Sequence, residues 1–246
     1  MEKNYYGSLC TEMYELLHPE APRDELEFYL SYARPGMKIL EPLCGSGRFF
    51  VPFLERGLDI TGVDSSREML DKLMQKAPAA RVVCTDLAGY ETDERFDYIF
   101  ISSGSVSLFT DMDRCREILA KMKGLLAPGG RFVFAVETLA DICPEDRDYK
   151  VTASVKTREG WDLVLKTRDH YDPGTQTQFS PSLYELYDGE TLVRTEQMDF
   201  QTHLYALAEI KALLKELGFA GVEVYSGFDK TPAQNSESES LLIACG

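Results

Sequence analysis

Residues 37–66 restrict the fold of this chain more than any other stretch. They read MKILEPLCGSGRFFVPFLERGLDITGVDSS: a buried strand that leads to Glu41, a turn that contains Gly45 and Gly47, an amphipathic helix, and a second strand that closes on Asp64. Glycines let the backbone approach a ligand closely, and a helix N-terminus favours anionic groups. A strand, a glycine turn and a helix in this order form half of a nucleotide-binding α/β unit. The stretch therefore predicts an α/β fold with a ligand at the turn.

Polar residues follow four consecutive predicted strands, namely Glu41, Asp64, Asp86 and the pair Ser102–Ser103. Strands that alternate with helical patterns as far as residue 136 indicate right-handed crossovers and a mainly parallel sheet. Ligands of such sheets bind at the carboxyl ends of the strands. We therefore predict one polar crevice where these side chains converge.

The pattern changes at Tyr149. Consecutive strands are predicted over 149–157, 161–172, 176–187 and 190–201, with turns between them such as Asp188–Gly189. A helix and two further strands follow from residue 204. The predicted fold class is α/β, a Rossmann-like, doubly wound, mainly parallel seven-stranded sheet with an inserted antiparallel β meander.

The charge balance argues against a nucleic-acid partner. The 41 acidic and 26 basic residues give a formal net charge of -15, whereas binding to a phosphate backbone needs a basic footprint. No apolar run reaches the ~18 residues of a membrane span, and the first residues lack the basic start of a signal peptide. Six cysteines without a C-x-x-C pair favour reduced thiols over disulfides or a metal site. We expect a cytoplasmic protein with no metal, no membrane span and no nucleic-acid partner.

Two common phosphate-binding motifs do not match the glycine turn. The dinucleotide fingerprint G-x-G-x-x-G requires a third glycine where this chain has Phe50. A P-loop requires Gly-Lys-Ser/Thr after the turn, and that sequence does not occur here. Pyrophosphate binding is therefore disfavoured, although an NAD-dependent oxidoreductase stays open because Asp64 would suit a ribose in either case.

The stretch E-P-L-C-G-S-G-R-F resembles the first motif of the class I S-adenosylmethionine-dependent methyltransferases. The resemblance continues in family order through Gly62–Ser66, Glu68–Leu70, Thr85–Leu87, Phe96–Ile99 and Leu126–Arg131. It implies S-adenosylmethionine as the cofactor and methyl transfer as the reaction.

The resemblance also implies a cofactor site. Gly45, Ser46 and Gly47 would pass close to the methionine and ribose, with Glu41 ordering the turn or reaching the amino group. Asp64 would accept hydrogen bonds from both ribose hydroxyls. The remaining residues would contact adenine (Met69, Asp86, Leu87), follow the ribose-binding strand (Ser65) or line the methionine end (Ser102, Ser103).

Leu43 departs from the family pattern, because a glycine is common at its position. A leucine there would crowd the backbone, and Pro42 before it removes an amide donor. A non-catalytic binding protein on the same fold therefore stays open as an alternative. No catalytic residue can be named, since in-line displacement needs alignment more than a fixed base.

Three domains follow from these patterns. Residues 1–35 would form an N-terminal helical cap, residues 36–140 and 204–246 the cofactor-binding methyltransferase domain, and residues 141–203 an inserted β subdomain that covers the substrate or contacts another subunit. Candidates for a lid over the substrate are Tyr5, Tyr6, Tyr14 and His170. The expected partner is a small-molecule methyl acceptor that reacts through nitrogen or oxygen.

Overall fold

The computed structural model describes residues 4–246. Its helices are α1 Ser8–Leu17, α2 Arg23–Leu30, α3 Phe50–Glu55, α4 Arg67–Lys76, α5 Met112–Leu125 and α6 Leu207–Glu216. Its strands are β1 Lys38–Pro42, β2 Asp59–Asp64, β3 Arg81–Cys84, β4 Phe96–Ile101, β5 Leu126–Glu137, β6 Lys150–Lys156, β7 Asp162–Thr167, β8 His170–Asp172, β9 Thr177–Phe179, β10 Ser182–Asp188, β11 Thr191–Met198, β12 Gln201–His203, β13 Glu223–Tyr225 and β14 Ser240–Cys245. Within residues 4–246, no helix is long and apolar enough to cross a membrane.

The central sheet has seven strands in the order β3-β2-β1-β4-β5-β14-β13. Strands β1 to β5 pair in parallel, and β14 runs antiparallel to both β5 and β13. The predicted mainly parallel seven-stranded sheet is therefore confirmed. Strand order reverses between β1 and β4, which leaves a crevice at their carboxyl ends.

The inserted antiparallel strands are also present, but three of the four predicted long strands break. Breaks after Thr167, Phe179 and Met198 divide the insert into a four-stranded sheet, β11-β10-β7-β6, and a three-stranded sheet, β12-β9-β8. Pro181 lies at one break, where it has no amide hydrogen to give to a ladder. Its carbonyl accepts from the amide of Arg168 at a neighbouring break, so the interruptions coincide across the sheet. Residue periodicity alone does not show where such strands change sheet.

Alternating residues of the central strands build two hydrophobic clusters, one on each face of the sheet. Leu40 and Ile99 belong to the cluster that includes residues of α5 and α6, whereas Ile39 and Tyr98 belong to the cluster that includes residues of α2 and α3. This is the two-residue period of a sheet that is covered on both faces. The sheet is therefore a rigid platform for the loops at its carboxyl edge.

Helix α1 lies between the insert and the central domain. The carboxylate of Glu196 in β11 accepts hydrogen bonds from the amides of Leu9 and Cys10, each at 3.0 Å, and so caps the N-terminus of α1. On the other side, the hydroxyl of Ser66 donates to the carbonyl of Tyr6 at 2.7 Å. The N-terminal segment is thus held to both parts of the molecule.

We predict that Glu196→Ala lowers the free energy of unfolding by about 1–2 kcal/mol, because two amides of α1 lose their acceptor. Urea unfolding of the full chain measures the change, with Gln197→Ala as the control on the next, exposed residue of the same strand. Equal effects of the two substitutions would contradict the capping role.

Candidate functional site

A cavity of about 280 Å³ lies at the carboxyl edge of the central sheet. Seven of the cofactor-site residues expected from the sequence line it, namely Glu41, Gly45, Asp64, Ser65, Met69, Ser102 and Ser103. Leu43, the residue that departs from the family pattern, lines it as well. Tyr6 and Tyr14 close it from the N-terminal segment. The fold therefore brings together side chains from the ends of β1, β2 and β4.

The carboxylate of Asp64 holds the glycine turn in place. Its Oδ2 accepts from the amide of Gly45 and its Oδ1 from the amide of Ser66, both at 2.8 Å. Burial raises the pKa of Asp64, and the backbone hydrogen bonds from Ser66 and Gly45 act in the opposite direction. Each carboxylate oxygen has a second lone pair, so Asp64 can order the turn and accept from a ligand at the same time.

The two glycines of the turn meet different demands. Gly45 lines the cavity with a φ of 51°, and a Cβ built there would meet nothing within 4 Å, so the backbone borders open space. Gly47 has a φ of 85°, and a Cβ there would lie 2.8 Å from Cγ of Leu73. Gly47 and the buried Ser46 do not line the cavity. Their positions serve the packing of the turn.

Leu43 adopts the left-handed conformation that glycine favours, with a φ of 56°. Its side chain lines the cavity and packs against the hydrophobic cluster of α5 and α6. Ser103, also in the cavity wall, has the same φ of 56°. Left-handed backbone costs about 1–2 kcal/mol for a residue with a side chain, and such strain is concentrated at ligand sites. The turn thus keeps its shape without the first glycine.

Glu41 places an unpaired oxygen at the cavity. The side chain is 1% exposed, and its Oε2 has no hydrogen-bond partner within residues 4–246. Burial raises the pKa of Glu41 well above its usual range, Asp64 raises it further, and Arg48 lowers it. A buried acceptor of this kind is suited to a cationic or hydrogen-donating ligand.

Arg48 is a cavity residue that the sequence reasoning missed. Its guanidinium donates to the hydroxyl of Ser103 and lies 5.5 Å from the ring centre of Tyr14 and 5.1 Å from that of Phe49. Its Nε has no partner in the described part of the chain. Its position directly after Gly47 could have indicated a residue of the site, but the sequence alone does not show in which direction the side chain points.

Glu25 was also missed. This residue of α2 is 7% exposed and accepts a hydrogen bond from the amide of Ser103 at 3.0 Å. Burial raises the pKa of Glu25, while the amide of Ser103 and the charge of Arg48 lower it. The second helix therefore fixes the turn after β4, although 78 residues separate the two partners in sequence.

Asp86 and Leu87 lie in an adjoining cavity of about 390 Å³. Leu43, Ser65, Asn4 and Leu108 line both cavities, so the two share a wall. The carboxylate of Asp86 already accepts from the amide of Gly89 at 2.6 Å and pairs with Arg114 at 3.2 Å. Asp86 and Leu87, the residues expected to contact adenine, thus lie next to the first cavity. Part of the hydrogen-bond acceptor capacity of the Asp86 carboxylate is already used within the protein.

The four lid candidates occupy different places. Tyr6 and Tyr14 line the cavity, but the hydroxyl of Tyr5 donates to Glu68 at 2.7 Å outside it. His170 stacks on Phe179 in the insert, with ring centres 4.6 Å apart, and does not line the cavity.

His18 stands at the rim of the cavity instead. The residue is exposed overall, but its ring is partly buried, with its centre 5.1 Å from that of Tyr14. This partial burial and the charge of Arg48 lower the pKa of His18. A neutral imidazole at neutral pH follows. No group of three or more His, Cys, Asp or Glu side chains in residues 4–246 is arranged to hold a metal ion.

Glu137 ends β5 next to the turn after β4. A Cβ built on Gly104 would lie 3.3 Å from its Cγ, and the amide of Glu137 donates to the hydroxyl of Ser107 at 2.8 Å. Burial raises the pKa of Glu137 to about 7, and a hydrogen bond with Thr202 lowers it. The carboxyl group therefore titrates near neutral pH beside the crevice.

Comparison with known proteins gives a consistent result. Residues 39–130 match the family model described as "Methyltransferase domain". The chain is 23% identical to the putative methyltransferase YqeM of Bacillus subtilis, over 92% of this chain and 91% of that one. It is 25% identical to a glycine/sarcosine N-methyltransferase of Aphanothece halophytica, over 89% of this chain and 81% of that one.

Solved structures show the same fold at lower identity. An S-adenosylmethionine-dependent methyltransferase from Clostridium acetobutylicum superposes with a TM-score of 0.76 at 15% identity, and 95% of each chain is covered. The sugar N-methyltransferase KedS8 from Streptoalloteichus superposes with a TM-score of 0.74 at 20% identity, over 100% of this chain and 96% of that one.

We predict that Glu137→Gln changes the pH dependence of stability. A carboxyl whose pKa is raised in the folded state stabilises the fold while it is protonated, so this contribution is present below the usual pKa of 4.5 and is lost as the pH rises through about 7. Relative to Glu137→Gln, the wild-type chain should lose stability from pH 5 to pH 8. Urea unfolding across this range tests it, with the exposed Glu145→Gln as control. Parallel curves for wild type and Glu137→Gln would refute the assignment.

Proposed function

We infer that the chain is a class I S-adenosylmethionine-dependent methyltransferase with S-adenosylmethionine as its cofactor, and we propose that it methylates a nitrogen atom of a small molecule. Similarity to a methyltransferase over 92% of this chain supports this function over the NAD-dependent oxidoreductase that the glycine turn alone left open. The methyl-transfer assay below distinguishes it from a non-catalytic protein of the same fold. The observation that carries the proposal is a walled cavity in which acidic side chains from the ends of β1 and β2 meet the aromatic N-terminal segment.

The residues of the cavity fit the cofactor. The unpaired Oε2 of Glu41 suits its ammonium group, and the free lone pairs of Asp64 suit the two ribose hydroxyls. The open space beside Gly45 admits a ligand close to the backbone. When bound, the cofactor supplies an electrophilic methyl group: the lone pair of the acceptor forms the new bond to carbon as the carbon–sulfur bond breaks, and S-adenosylhomocysteine is left.

The side chains at the cavity favour an amine over a hydroxyl as the acceptor. A hydroxyl must lose its proton to a base within hydrogen-bond distance as it reacts, whereas an amine that binds as an ammonium gives one proton to water beforehand and then attacks through its free lone pair. Glu41 is assigned to the ammonium group of the cofactor, both oxygens of Asp64 accept backbone amides, and His18 stands at the rim of the cavity. The relatives named as N-methyltransferases support the same choice.

The closure of the cavity and the charge of the molecule favour a small acceptor. Tyr6 and Tyr14 close the cavity on the side of the N-terminal segment, and a formal net charge of -15 repels a phosphate backbone. We assign residues 36–140 and 204–246 to cofactor binding, residues 1–35 to a cap, and residues 141–203 to a subdomain that covers the acceptor. The placement of α1 between the insert and the cavity supports this division.

Calorimetry with S-adenosylhomocysteine tests the cofactor assignment. We expect Asp64→Ala to weaken binding by about 1–3 kcal/mol, because charged hydrogen bonds to the ribose are lost. Asp59→Ala at the exposed start of the same strand is the control. Unchanged affinity would remove Asp64 from the site, and tight binding of NAD without S-adenosylhomocysteine binding would overturn the proposed function.

Methyl transfer to matched pairs of amines and alcohols tests the acceptor class. Products are identified by mass spectrometry after incubation with S-adenosylmethionine. We expect methylation of amines and not of their hydroxyl counterparts. Methylation of oxygen alone would contradict the choice of nitrogen while leaving the cofactor assignment intact.

A further inference from the structure

A third cavity, of about 330 Å³, lies between α1 and the four-stranded sheet of the insert. It shares Tyr6, Tyr14 and His18 with the cofactor cavity, so the two spaces meet at one wall. Its volume is at the lower end of the range for small-ligand pockets. We propose that this cavity is the acceptor site, and that it takes a small polar aliphatic amine; the inference rests on the proposed N-methylation.

Thr167, at the end of β7, lines this cavity and carries a buried hydroxyl without a partner. The residue is 9% exposed, and its Oγ1 has no hydrogen-bond partner within residues 4–246. Its partners in the ladder are Lys150 and Ser182, and the hydroxyl of Ser182 instead donates to the carbonyl of Ser180 at 2.9 Å. A buried hydroxyl without a partner destabilises the fold, and a ligand that donates or accepts there removes this cost.

Asp169 gives the cavity a negative charge. The residue is 8% exposed, and its Oδ2 lies 4.0 Å from Nζ of Lys150, at the outer limit of an ion pair. Lys150 is closer to Asp146, at 2.9 Å, so one ammonium faces two carboxylates. The local excess of negative charge favours a ligand with an amino group.

The remaining wall is aromatic and apolar. Tyr6 and Tyr14 are packed edge to face, with ring centres 6.2 Å apart, and Tyr184 lines the insert side. Aromatic faces attract ammonium groups, and Met13 and Met198 offer adaptable apolar surface to a carbon skeleton. Polar groups are therefore few and specific, as in small-molecule sites in general.

The wall that the two cavities share would place the acceptor beside the cofactor. Tyr6, Tyr14 and His18 belong to the segment that Glu196 and Ser66 hold against both the insert and the glycine turn. A molecule in the third cavity is thus adjacent to the cofactor cavity without occupying it. Such placement supports alignment of acceptor and methyl group, the main contribution that a protein makes to in-line transfer.

Two conservative substitutions test the site. Thr167→Val removes the unpaired hydroxyl, and Asp169→Asn removes the charge. The matched controls are Thr195→Val and Asp188→Asn, both exposed on the same sheet.

The probes are glycine, sarcosine and glucosamine, with glycolate and glucose as their amine-free counterparts. Binding in the presence of S-adenosylhomocysteine is followed by ligand-observed NMR and by the fluorescence of Trp161, the single tryptophan, which packs against the cluster containing Met13 and Tyr184.

At least one amine should bind to the wild-type chain, and each of the two test substitutions should weaken that binding at least tenfold. S-adenosylhomocysteine affinity should stay within twofold, and thermal unfolding should show that Thr167→Val is folded and at least as stable as wild type.

Unchanged amine binding in both variants overturns the site. A loss of S-adenosylhomocysteine affinity as large as the loss of amine affinity overturns it as well. Binding of glycolate or glucose as tight as that of the amines, or no binding of any probe, overturns the amine class. If the amines bind but receive no methyl group, the proposed N-methylation fails while the binding site stands.

Discussion

The carboxylate of Asp64 is the interaction on which the cofactor side of this molecule depends. Each of its oxygens accepts one backbone amide, from Gly45 and Ser66, and thereby joins the end of β2 to the glycine turn and to the start of α4. Because the amides satisfy one lone pair of each oxygen, the group keeps acceptor capacity for a ligand. The same carboxylate raises the pKa of the buried Glu41, so the two acidic groups at neighbouring strand ends are electrostatically coupled.

The N-terminal segment joins the central domain to the insert. The amide of Ser66 donates to Asp64, and its hydroxyl donates to the carbonyl of Tyr6. On the other side, Glu196 of the insert caps α1. Tyr6, at the first attachment, and Tyr14, on α1, line both the first cavity and the third. The first cavity, the N-terminal segment and the insert are therefore joined by hydrogen bonds, and a change in the insert can alter the wall of the cavity.

Much of the fold was predictable because local patterns are strong here. Period-two apolar runs, the glycine turn and the Asp-Gly hairpin turn all reflect backbone preferences of nearby residues. The breaks in the long strands of the insert were not predictable, since they depend on which sheet each half can join. Likewise, the motif order indicated Asp64 and Gly45 as cavity residues, but Ser46 and Gly47, from the same motif, face the packing of α4.

The sequence by itself determined the order of elements, the glycine turn and the polar residues at successive strand ends, because these follow from backbone conformation and periodicity over short distances. Only the tertiary structure decided which side chains complete the site. Arg48, Glu25 and Thr167 acquire their roles from partners or cavities formed by distant segments, and no local pattern encodes such contacts. Leu43 illustrates this division: its residue type marked it as a departure from the pattern, and only the structure shows its left-handed backbone and its packing against the cluster of α5 and α6.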